Sequence, residues 1–128
     1  MAVLVPTSWG EVIDKITILE IKSERLTDAA KIANVRTELN ALVEVREREF
    51  PNHKGLATLA AKLKAINEKL WVVEDDIRDL ERAKSFDAKF VELARAVYFT
   101  NDERANVKRE INGLLGSKLI EEKSYAPY

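Results

Sequence analysis

Seven polar residues lie on or beside what should be the apolar stripes of helices: Glu20, Arg46, Asn67, Glu74, Asn101, Arg104 and Lys108. Stepping by three and four from Val97 lands on Asn101, Arg104 and Lys108 before the apolar register resumes at Ile111. Guanidinium and ammonium groups in a helical core attract anions, and amides and carboxyls beside them read hydroxyls. The set is therefore chemically suited to a phosphorylated or sugar-nucleotide metabolite. The plainer reading is that these groups satisfy one another. A buried polar layer of that kind fixes register and partner choice at some cost in stability.

Other chemistry-bearing residues are weaker candidates. The cluster Glu74-Asp75-Asp76 with Asp79 invites a metal, but its carboxyls point around a helix in different directions. A solvated acidic face pairing with Arg78 and Arg82 fits the helix-pair rule better, so no metal ligand is assigned. The cluster is similar only in part to the magnesium sites of helical NTP pyrophosphohydrolases. Glu44 and Glu47 match one half, while Asp76 and Asp79 depart from the Glu-x-x-Asp of the other. Ile13-Asp14 and Arg25 resemble the opening helix of helical chorismate mutases, without the remaining active-site groups. A di-iron bundle needs Glu-x-x-His twice, and His53 is the single histidine. His53 itself sits in a Pro-Gly loop and reads as solvated, and Trp9 and Trp71 read as packing anchors.

The elements that must carry these residues are helices. The 128 residues are 46% hydrophobic and 34% charged with only 4 Gly and 3 Pro, which suits long amphipathic helices. One domain over 1–128 is expected, with a short leading segment 1–7 and a tail 117–128. Ser8-Trp9-Gly10-Glu11 is a capping box opening a first helix through Leu26. Its face carries Trp9, Val12, Ile13, Ile16, Leu19 and Leu26, with Glu20 and Ser23 on the same side by angle. Ile18 and Ile21 fall nearly opposite, beside Asp14, and mark an outer patch for self-association.

Thr27-Asp28 re-caps the chain into a second helix that ends at Pro51 and carries Arg46 on its apolar stripe. From Leu56 the series Leu59, Leu63, Ile66, Leu70, Val73, Ile77, Leu80 alternates steps of four and three, the seam of a coiled coil running to about Ala83. Ser85 or Asp87 starts a fourth helix that stops at Gly116. If the third and fourth helices turn near Lys84, Asn67 comes level with Asn101 and Arg104, and Glu74 with Arg95 and Tyr98. In the tail, Leu119, Ile120 and Tyr125 are expected to be buried by packing back or by a partner. The fold class is all-α: four long helices as two antiparallel hairpins.

Charge and composition exclude some classes. With 21 Lys and Arg against 22 Asp and Glu, and no basic run, the footprint of a nucleic-acid binder is missing. Without cysteine, disulfides, thiolate sites and cysteine nucleophiles are impossible. No apolar run is long enough for a membrane span or a signal peptide, so a cytoplasmic location is expected.

WGEVIDKITILEIKSERL (Trp9 to Leu26), EDDIR (Glu74 to Arg78), FVELARAVYFTNDERANVKREIN (Phe90 to Asn112) and the closing EEKSY resemble a bacterial, all-helical domain-of-unknown-function family across nearly the whole chain. That resemblance implies a bacterial helical protein and carries over no catalytic residue. The expectation is a non-enzymatic, cofactor-free interaction module, a homodimer through Ile18 and Ile21 or the tail, with a protein partner open and no nucleic acid or membrane. The alternative is a binding protein or enzyme for a small anionic metabolite held in the Arg104 and Lys108 layer.

Overall fold

The structure is a computed structural model that describes residues 2–128. Four helices follow in order: α1 (Trp9–Arg25), α2 (Ala29–Glu49), α3 (Lys54–Arg82) and α4 (Ala88–Leu115). Each begins where a side chain can accept from the first-turn N–H groups. The Ser8 hydroxyl accepts from Glu11 N at 3.2 Å, Asp28 from Ala30 and Lys31, and Asp87 from Lys89. His53 caps α3, its Nδ1 accepting from Leu56 N at 3.0 Å, so the loop histidine is half-buried and structural rather than merely solvated.

Helix ends are equally local. Lys84 takes a left-handed φ of 55° after α3, with Ser85 N–H bonded to Leu80 O and Lys84 N–H to Glu81 O, a Schellman stop. Gly116, at φ 65°, ends α4 as its sequence position predicts. The capping box is only half formed, because the Glu11 carboxylate turns away from the cap to a lysine on α4.

α1 with α2 and α3 with α4 pair as two helical hairpins. Backbone contacts join α1 to each of the other three helices, whereas α2 touches α1 alone. The core gathers Ile13 and Ile16 of α1, Leu56, Leu63 and Ile66 of α3, and Val107 and Ile111 of α4. Leu39, Leu42, Val43 and Phe50 press on it from the α2 side without being fully buried. Trp9 meets Phe50 edge-on at 5.0 Å, tying the start of α1 to the end of α2.

α3 and α4 are much longer than α1. At the standard rise, 29 residues of α3 span about 43 Å and 17 residues of α1 about 26 Å. The turn end of the α3–α4 hairpin therefore projects beyond the rest, and Val72, Phe86 and Val91 are exposed there. The tail after Gly116 has no regular secondary structure and lies back along α4. Glu121 meets Lys108, Glu122 meets Arg109, and Tyr128 packs on Phe99 and Tyr98 and donates to Asp102. The tail thus packs back, but through charge pairs and Tyr128, and Leu119, Ile120 and Tyr125 remain exposed in the single chain.

Candidate functional site

α1 and α4 run in opposite directions at very close range. Gly10 N–H donates to Asn112 Oδ1 at 2.6 Å, and a Cβ on Gly10 would lie 2.6 Å from the Lys108 carbonyl oxygen. Only glycine permits that approach. Below it, rung by rung, Glu11 pairs with Lys108 and Asp14 with Arg104.

Asp14 is the hub. It is 3% exposed, and both its oxygens accept from Arg104, whose Nε lies 2.9 Å from Oδ1 while Nη2 reaches Oδ2. Asn67 of α3 donates its amide to Asp14 Oδ1 at 2.9 Å and to the Thr17 hydroxyl at 2.9 Å, and that hydroxyl donates to the Asp14 carbonyl. One carboxylate therefore joins three helices. The fork geometry suits a buried pair, since planar guanidinium and carboxylate satisfy two bonds at once. Hydrogen bonds to Asp14 hold the Arg104 guanidinium firmly protonated, against the opposing pull of burial.

Lys108 is also buried, with Nζ 2.5 Å from Glu11 and 2.8 Å from Glu121 of the tail. Burial alone would lower its pKa, but the two carboxylates outweigh it and the net shift is upward. The hydrogen bond from Lys108 in turn holds the Glu121 carboxyl below the usual range. Asp14, Arg104, Glu11 and Lys108 thus have partners within the chain. Among the described residues one buried side-chain polar atom does not: the hydroxyl of Thr100, 1% exposed on α4, has no hydrogen-bond partner.

A solvent-open groove of about 380 Å³ runs past the Asp14–Arg104 pair. Asn101 and Arg104 line it from α4, and Asn67, Trp71, Glu74 and Arg78 from α3. Of the seven residues singled out in the sequence, Asn67, Asn101, Arg104 and Glu74 meet here. Lys108 belongs to the next rung, with Glu11. Glu74 pairs with Arg78 at 3.4 Å, whereas Arg95 lies over the Phe99 ring.

Glu20 and Arg46 stand apart from the layer. Arg46 bonds its neighbour Glu47 near the end of α2. Glu20 is half-buried, and its pKa is raised by burial against the attraction of Lys64 and Arg46. Ser23 donates to the Glu20 carbonyl, within its own helix.

Ile21 requires a correction. It is 1% exposed, inside the fold rather than on an outer patch, and Ile18 is half-buried beside it on the groove wall with Leu70 and Trp71. The second apolar face of α1 is covered by α3 of the same chain. Asp14, placed outside by the same angular argument, is inside for the same reason. Asp14, Thr17, Glu11 and Asn112 are the members of the layer that sequence reasoning missed. The available signal was that apolar residues encircle α1, the mark of a helix buried on several sides.

Among the described residues no group of three or more His, Asp or Glu side chains is placed to hold a metal ion, and no helix is long and apolar enough to cross a membrane. No curated protein and no solved structure matches the chain. Residues 3–127 match the model of a family of unknown function (DUF6165), and the chain belongs to that family.

Proposed function

We propose that this chain is a non-catalytic helical assembly module of the bacterial cytoplasm, working as a homodimer. One contrast carries the reading. Acids and bases turned inward are consumed by each other, as in Asp14–Arg104 and Glu11–Lys108–Glu121, while the α3–α4 hairpin carries apolar side chains out into solvent. Catalytic groups need free valence toward a substrate, and exposed apolar side chains on a projecting element favour contact with protein. The heptad seam of α3 adds an antiparallel coiled-coil character to that hairpin. The bacterial setting rests on the motif resemblance. Sedimentation equilibrium of the full chain tests the reading: a concentration-dependent dimer supports it, and a monomer throughout the micromolar range overturns it.

A second reading is favoured by the groove beside Arg104. Its 380 Å³ lies within the usual range of small-ligand sites, and Asn101, Arg78 and the Trp71 ring line it. A phosphorylated or sugar-nucleotide metabolite held there would raise the melting temperature of the protein. Arg78→Ala and Asn101→Ala, which leave the Asp14–Arg104 pair intact, should then abolish the rise. A panel of such metabolites without any shift removes this reading.

A further inference from the structure

The outer face of α4 near the hairpin turn carries a stripe at helical spacing: Ala88, Val91, Glu92, Arg95, Ala96 and Phe99. The six residues line one shallow depression on the side away from the core. Val91 is 54% exposed, and Glu92 and Arg95 are exposed beside it. The order of types is what matters. Read from either end toward a point between Leu93 and Ala94, a small residue answers a large one and an acid answers a base. Ala88 answers Phe99, Val91 answers Ala96, and Glu92 answers Arg95.

We infer that this stripe is a two-fold, self-complementary docking surface whose occupant is the same stripe on a second copy of the chain, running antiparallel. In a two-fold contact, residue i of one copy meets residue j of the other and j meets i. An axis between Leu93 and Ala94 seats Phe99 of each copy over Ala88 of the other and sets Val91 against Ala96. It also forms the Glu92–Arg95 pair twice. Small residues opposite large ones let helices approach closely, and opposite charges at fixed offsets set register and direction.

A parallel arrangement in register would instead place each charge against its own kind. The stripe covers roughly 16 Å of helix, so the association is modest and concentration-dependent. Inside the monomer the charges have only weak alternatives. Glu92 has an exposed contact with Lys89 at 3.8 Å, and Arg95 lies over the Phe99 ring at 5.7 Å. Tyr128 rests on Phe99 and still leaves it 38% exposed.

This inference rests on the homodimer reading and specifies its interface. The test is a charge exchange on the full chain, followed by sedimentation equilibrium, with melting curves to show that each surface variant stays folded. Glu92→Arg alone sets Arg against Arg twice, and Arg95→Glu alone sets Glu against Glu twice. Each should weaken self-association at least tenfold.

An equimolar mixture of the two variants should recover the dimer, one copy of each, because every pair is again opposite in sign. A wild-type dimer indifferent to both exchanges, or a mixture that fails to recover, overturns this interface while leaving the homodimer standing. A wild-type monomer overturns both.

Discussion

Around Leu63 and Ile111 several helices meet and both residues are 0% exposed; around Leu80 and Phe90, on the same two helices, only a hairpin remains and both are only partly buried. The heptad spacing is the same in the two regions. What differs is the number of neighbours. At the base, α1 lies across α3 and α4, and its polar groups are clamped by Asp14. Toward the tip, past the end of α1, two helices share one seam and leave Val72, Phe86 and Val91 in water. Periodicity thus tells which side of a helix is apolar, while the length of its companions decides whether that side is covered.

The largest expected effect is at the clamp. Asp14→Ala leaves the Arg104 guanidinium without its partner and the Asn67 amide with one bond fewer, and should cost about 3–5 kcal/mol in urea unfolding. A loss under about 1 kcal/mol would show that water reaches Arg104 and that the base is wetter than described. Next comes a direct contrast on the seam. Leu63→Ala should cost about 2–5 kcal/mol and Leu80→Ala about 1 kcal/mol, because the second site already sees solvent and collapses without leaving a cavity. Equal losses would mean that the seam at the tip is covered in solution, which the docking stripe on the opposite face of α4 does not do.

Thr100→Val should gain about 1 kcal/mol, since it removes a buried hydroxyl without a partner and keeps the shape. A loss there would indicate that the hydroxyl is bonded in solution.

The smallest effect is the tail. Glu121 is held below its ordinary value of 4.5, so its tether is present above that value and is lost as pH falls through the lowered one. Lys108 is raised above 10.5, so its share is present below that value and is lost as pH rises through the raised one. NMR backbone order parameters of residues 118–128 should accordingly be high at neutral pH and fall in acid below pH 4.5. Glu20 runs the other way. Its raised pKa makes the folded state gain stability as pH falls, partly offsetting the loss of the tether. Order parameters unchanged into strong acid would show that Tyr128, not Glu121, holds the tail.

Much of this fold was legible because its signals are local. Ser8, Asp28, Asp87 and Gly116 mark helix ends through bonds made within a few residues. The hairpin geometry followed from the turn near Lys84, which also brought Asn67, Asn101 and Arg104 to one groove. The site was less legible. Sequence spacing gives an angle around a helix but not the number of neighbours, so Asp14 and Ile21 were assigned to an outer face that α3 covers. Glu11 read as a cap partner because the competing Lys108 lies 97 positions away on α4. Long-range charge choices of that kind leave no mark in a local window.

α2 buries no residue fully and its backbone approaches only α1, yet the chain could not dispense with it. Since α1 and α3 both run opposite to α4, they point the same way, and the end of α1 lies far from the start of α3. A return stroke of about the length of α1 is needed, and α2, 21 residues and roughly 31 Å long, supplies it. Its obligation is to span a distance as well as to lay Leu39, Leu42 and Val43 against the core. Circular permutation that joins the two ends of this 128-residue chain and opens it within the α2 span would release that obligation, making α2 the segment where this architecture tolerates new connectivity.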